Sequence, residues 1–243
     1  MPASTWTPTA LASEARPWAG SGWRAVEAQH KNATIALVHG NVDDQALLES
    51  ILEEAKPVLP DNAKGLHWLL ATPFRYWPPQ PAGSRFRRRT DPGVFYGAED
   101  RQTSCAESGY WRLRLWMDSE GLSRHPAVVP VTLFEFHAAT DAAIDLTKAP
   151  LVKDRVLWTD PTDYRATQAL AENARAVNVA VIRYASVRNP GGLCLALLSP
   201  EPFRAVSEPY DETRQQSWSL YLEPPDLTVW QRVLDGESFS FRF

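Results

Sequence analysis

Twenty prolines are spread through the 243 residues, and they limit the fold more than any other feature. Each fixes φ near ~−65° and removes a backbone donor, so long helices are interrupted while turns and extended connections are favoured. The segments between them follow no single period. Asn41 is placed to cap a helix carrying Asp43 and Asp44 in its first turn, with Leu47, Leu48, Ile51, Leu52 and Ala55 on one face and an end before Pro57. Residues 68–77 read as a strand stopped by Pro78-Pro79, and 93–97 as a short strand bracketed by glycines. A helix is expected over 103–117, with Ala106, Tyr110, Leu113 and Met117 toward the core. Strands are expected over 128–136, 144–146, 179–183, 193–198 and 217–222. Asp160-Pro161 is the pattern of a helix start, here for a helix running to about 177. The first twenty residues, rich in Ser, Thr, Ala and Pro, read as loosely ordered. Without a regular βαβ series the fold class is α+β: one domain with mixed central sheets and flanking helices.

Ten tryptophans imply several packed aromatic clusters, and the chain is long enough to bury a full core. A net charge of −4 gives no global case for a nucleic-acid or membrane surface. Cys105 and Cys194 match no metal spacing, and the five histidines fit neither a metal site nor a triad, so no metal is expected. The N-terminus has no basic start followed by an apolar core, and no run of ~18 uncharged apolar residues exists. The expectation is a cytoplasmic protein.

Chemistry-bearing residues concentrate between Arg75 and Arg114: Arg75, Tyr76, Arg85, Arg87, Arg88, Arg89, Tyr96 and Glu107. Three readings compete. The arginines form a solvated face; or Arg85-Phe-Arg-Arg-Arg89 contacts nucleic acid with aromatics nearby for stacking; or guanidinium forks clamp the phosphates of a small molecule beside one reactive carboxylate.

The ordered set Phe74-Arg75-Tyr76, Gly83-Ser-Arg85-Phe86, Gly93-Val-Phe-Tyr96-Gly-Ala-Glu-Asp and Thr103-Ser-Cys-Ala-Glu107 resembles the RES domain toxins. Asp145-Leu-Thr147, Gln168-Ala-Leu170 and Tyr184-Ala-Ser186-Val-Arg188 with Gly191-Gly192 continue the resemblance, which spans roughly 66–198. It implies a fold related to ADP-ribosyltransferases and a toxin that cleaves the nicotinamide–ribose bond of NAD, its substrate. ADP-ribose then passes to phosphate or water, or in some members to a protein. It also implies a separate antitoxin of Xre type, and no direct contact of this chain with nucleic acid. On this resemblance Glu107, Arg75 and Tyr96 are the catalytic candidates, and Arg85, Tyr76, Ser186 and Arg88 the NAD-binding ones; Arg87 and Arg188 are further cations for a phosphate acceptor. Residues 66–200 would form the catalytic core, 1–65 an accessory segment packed on it, and 201–243 a C-terminal extension. The chain departs from the family pattern at Ser104 (usually Ala), Trp111 (commonly His) and Cys194 (usually Asn). A binding module without catalysis is the reading from another class.

Overall fold

The computed structural model describes residues 6–28, 32–76, 83–122 and 125–243. Trp77 and the Pro78-Pro79 strand stop expected from the sequence lie outside them.

Elements follow one another as α1 (Pro8–Glu14), β1 (Arg16–Glu27), α2 (Asn32–Leu37), α3 (Val42–Glu54), α4 (Trp68–Arg75), β2 (Phe95–Ala98), α5 (Arg101–Met117) and β3 (Ala127–Asp145). Then come α6 (Arg155–Trp158), α7 (Arg165–Arg175), β4 (Val181–Ala185), β5 (Leu193–Leu197), α8 (Glu201–Arg204), β6 (Gln216–Glu223), β7 (Leu227–Arg232) and β8 (Ser238–Arg242). The α+β class therefore holds. The strands form one mixed sheet in the order β1-β2-β5-β4-β3-β6-β7-β8, and a further β1–β3 pairing closes the first five into a ring. Only β3–β4 is parallel; every other neighbour is antiparallel.

Side-chain alternation along β2, β4 and β5 separates two cores, as the two-residue period of a strand requires. Ile182, Tyr184, Cys194 and Ala196 pack with α7 residues Leu170, Ala171 and Ala174 and with Phe86. Phe95, Val181, Leu195 and Leu197 pack the other way with Phe134, Phe136, Phe203 and α4. A third core joins α5 to β6 and β7 through Ala106, Leu113, Trp218, Leu220 and Trp230. Gly97 permits the ring to close this tightly: a Cβ there would lie 2.5 Å from the Phe136 ring.

Several expectations are corrected. Residues 68–75 are helical: Leu70 and Phe74, four apart, are both buried, and the His67 Nδ1 caps the helix by accepting from Leu69 N at 3.3 Å. Pro73 lies inside this helix, where it has no N–H to give the Leu69 carbonyl. The strands expected at 128–136 and 144–146 are one strand, β3, 19 residues long. Asp160 Oδ1 accepts from Thr162 N and Asp163 N, so it shapes a turn, and α7 begins only at Arg165.

The first 65 residues are not one accessory layer. Within the segment read as loosely ordered, Thr7 caps α1, and β1 then supplies a stave of the closed ring, paired with β3 from Arg16 to Glu27. By contrast, α3 forms as its Asn41 cap predicts but buries nothing, and Leu47, Ile51 and Leu52 are exposed.

Candidate active site

β1 and β2 share a single register pair, Trp23↔Ala98, and then part. The gap opens into a cleft of about 600 Å³, within the range of small-molecule sites. Its lining includes Arg24, Ser84, Arg85, Tyr96, Glu107, Trp111, Tyr164, Arg188 and Cys194.

Glu107 is carried by α5, whose first turn is fixed by Asp100 accepting from Thr103 N at 2.7 Å. The Thr103 hydroxyl in turn accepts from Asn189 Nδ2 at 2.8 Å, which ties the loop after β4 to the same helix. That loop places Ser186 beside the carboxylate. Glu107 Oε1 accepts from Ser186 Oγ at 2.6 Å, Val187 N at 3.1 Å and, weakly, Cys194 Sγ at 3.9 Å. Ser186 Oγ itself accepts from Arg188 N at 3.1 Å and Asn189 N at 3.0 Å. With both lone pairs taken, its one proton points at Glu107. All three donors converge on Oε1, so Oε2 has no partner among the described residues. Burial, followed by the Glu107 charge, pushes the Cys194 thiol well up, so it stays protonated and a donor.

Arg85 sits on a tight turn, with Ser84 and Arg87 exchanging backbone hydrogen bonds of 2.7 and 3.1 Å. Gly83 opens this turn at φ +79, and a Cβ there would collide with the Arg87 carbonyl. The Tyr96 hydroxyl holds the turn from below, bonded to Ser84 Oγ at 2.8 Å and accepting from Phe86 N at 3.0 Å. Desolvation raises the Tyr96 pKa, so its phenol stays neutral. Arg85 Nη1 donates to Trp158 O at 2.8 Å and Asp160 O at 2.9 Å, and the guanidinium lies 4.8 Å from the Tyr164 ring. Arg188 stacks 3.5 Å from the Tyr110 ring and donates to Pro161 O at 3.0 Å. Neither arginine has a carboxylate partner among the described residues. The cleft thus presents two carboxylates, Glu27, which pairs with Arg112 at 2.7 Å, and Glu107, together with aromatic faces and, in Arg85 and Arg188, guanidiniums still open to an anion.

Of the residues singled out in the sequence, Glu107, Arg85 and Tyr96 meet in this cleft, and Ser186 joins them through Glu107. Ser186 gives its proton to Glu107, so it orients the carboxylate and has no second proton for a ligand. Three residues are placed elsewhere. Arg75, at the end of α4, donates to Pro57 O and pairs with Glu53 at 2.6 Å. Tyr76 is exposed, and its carbonyl accepts from Arg87 at 2.7 Å. Arg88 pairs with Glu172 at 2.7 Å. Contiguity in sequence conceals this: α4 leads Arg75 and Tyr76 away from the turn that carries Arg85, and Arg88, just past that turn, is drawn to Glu172 on α7. Arg24 and Tyr164 were missed. Arg24 gives no signal in the sequence, being one arginine in a Gly-rich segment; Tyr164 follows the Asp160 turn and could have been weighed as a ring for Arg85.

Behind the cleft Arg183 binds Glu99 at 2.5 Å and Asp145 at 2.7 Å, locking β4 to β2 and β3. Burial alone would raise the Asp145 pKa, but the Thr147 and Arg183 bonds outweigh it and leave it lowered. Among the described residues no group of three His, Cys, Asp or Glu is placed to hold a metal ion, and no helix is long and apolar enough to cross a membrane.

The RES domain family matches residues 59–223. No curated protein matches the chain. Among solved structures, the crystal structure of the M. tuberculosis MbcT-MbcA toxin-antitoxin complex aligns at 12% identity and a TM-score of 0.45, over 88% of this chain and 92% of that one.

Proposed function

The chain belongs to the RES domain family, and from that premise we propose that its cleft cleaves the nicotinamide–ribose bond of NAD. The observation that carries the reading is the Glu107 carboxylate, with Oε1 held by three donors and Oε2 without a partner among the described residues, in a cleft where Arg85 and Arg188 have no carboxylate partner among those residues.

Breaking the N-glycosidic bond sends its electron pair to nicotinamide, which leaves neutral, and positive charge develops on the ribose ring as an oxocarbenium ion. A carboxylate fixed beside that ring stabilises the charge without reorganising at the moment of reaction. Because the leaving group needs no proton, one carboxylate suffices. An oxygen of phosphate or water then bonds to the ribose carbon, and the acceptor releases a proton to solvent. Arg85 and Arg188 hold the pyrophosphate through charge-assisted hydrogen bonds. Trp111 and Tyr164 offer ring faces to the bases. Tyr96 acts from below, fixing the turn that carries Arg85.

The toxin role and the separate Xre-type antitoxin follow from the family resemblance. Purified chain incubated with NAD, with and without phosphate, should release nicotinamide, and E107Q should reduce the rate by roughly 1,000-fold. Absence of nicotinamide under both conditions would refute the reading. Induced wild type should arrest growth with loss of NAD, and Glu107→Ala should be tolerated.

A further inference from the structure

Arg24 also lines the cleft. Arg24 lies on β1, one residue past the pair at which β1 and β2 separate, and outside the segment the family matches. On its other side β1 stays paired with β3, Arg24 opposite Phe134, so the backbone here is held. The side chain reaches across the split. Its Nη1 donates to the Tyr96 carbonyl at 2.5 Å, and its guanidinium carbon lies 4.8 Å from the Phe95 ring. Its Nε is buried without an acceptor, and among the described residues no carboxylate faces it.

Two other enclosed arginines have counter-ions: Arg183 has Glu99 and Asp145, and Arg175 has Asp91 at 3.8 Å; in the cleft lining itself Arg112 has Glu27 at 2.7 Å. Burying a guanidinium without such a partner costs several kcal/mol, as a general matter. An uncompensated cation lining a cleft is therefore a strong sign that an anion completes it.

We propose that Arg24 is a binding residue for a phosphoryl anion in the cleft, supplying from β1 a guanidinium that acts with Arg85. The inference rests on the reading of the cleft as an NAD site. Arg24 replaces the second clamp that the sequence assigned to Arg75, which the fold carries to Pro57 and Glu53. Burial lowers its pKa to about 10, partly opposed by Tyr96, so it is still charged at neutral pH. Its unbonded N–H groups suit phosphate oxygens better than a neutral ring. The phosphoryl group has two possible sources, the pyrophosphate of the dinucleotide and free phosphate as acceptor.

Titration of the full chain and of R24K and R24M with ADP-ribose, inorganic pyrophosphate, inorganic phosphate and uncharged adenosine tests this. R24M should weaken at least one phosphate-bearing probe by roughly 10–100-fold, the worth of a charge-assisted hydrogen bond, and leave adenosine unchanged. R24K should fall between. Weakening of ADP-ribose and pyrophosphate identifies the dinucleotide as the source; weakening of inorganic phosphate alone identifies the acceptor. Wild-type affinity for every phosphate probe in a folded R24M overturns the proposal, as does a wild-type chain that binds none of them. Should R24M fail to fold, phenylglyoxal labelling of the wild type decides: pyrophosphate or phosphate should slow modification at Arg24, and equal labelling with and without both overturns the assignment. Nicotinamide release by the wild type tests the underlying reading separately, so the two failures are distinguishable.

Discussion

Ser186→Ala isolates the device that aims Glu107. The substitution removes the 2.6 Å bond from Ser186 Oγ to Oε1 and leaves only Val187 N at 3.1 Å and the weak Cys194 contact at 3.9 Å. A hydrogen bond to a charged acceptor contributes about 1.5–3 kcal/mol, and if that governs how well the carboxylate faces the developing cation, kcat falls about 10- to 150-fold. KM should stay within about two-fold, because Ser186 gives no donor to the substrate in the ground state. The fold should weaken separately, since Arg188 N and Asn189 N lose the oxygen they donate to. About 1–2 kcal/mol is expected, or roughly 2–8 °C in Tm. Initial rates of nicotinamide release across a range of NAD concentrations, with thermal melts of the same samples, separate the two effects. A folded S186A with the wild-type kcat would refute the argument that the Ser186 bond holds Glu107 for reaction.

R85K should raise KM by roughly 10-fold, because an ammonium cannot lie flat on Tyr164, bond two carbonyls and still present a fork to phosphate; unchanged NAD saturation would contradict it. G97A should destabilise the ring by about 2–3 kcal/mol in urea unfolding, from the clash with Phe136. Burial lowers the His67 pKa, opposed by Glu212, so the unfolded chain takes up that proton first. The contribution of His67 is therefore present above about pH 6.5 and fades below it, and H67N, which still caps α4, should flatten the fall in Tm between about pH 7 and 5.5. Asp145 has the corresponding sign at lower pH: its lowered pKa stabilises the fold above about pH 4 and ceases to do so below, so D145N should make that acid limb shallower.

What the sequence reveals depends on how local the determining physics is. α5, β4, β5 and β6 carry apolar spacings that only one period fits, and they form close to where those spacings place them. Residues 68–75 read as a strand in the sequence because Trp68, Leu69 and Leu70 favour either state over so short a run, and burial with Phe95 and Phe134 in one core decides for a helix. The start of β1 falls within the first twenty residues, whose Ser, Thr, Ala and Pro read as loosely ordered, whereas Gly22 inside the strand is required by the approach of Phe136, a residue more than a hundred positions away. The same limit applies to the site. Glu107, Arg85 and Tyr96 stand out as types within a recognisable order, but which guanidinium joins them depends on how far α4 and β1 travel. That is why the sequence points to Arg75 and not to Arg24.

The closed ring has a consequence for synthesis. β1 leaves the ribosome before the strand it binds over most of its length, which is completed roughly 100 residues later, a wait of about 5–20 s at ordinary translation rates. Until then β1 lacks its main neighbour, and the single pair Trp23↔Ala98 with β2 leaves most of its edge, Trp18 included, uncovered, so the newborn chain is most vulnerable to self-association before the wall of its own cleft has closed.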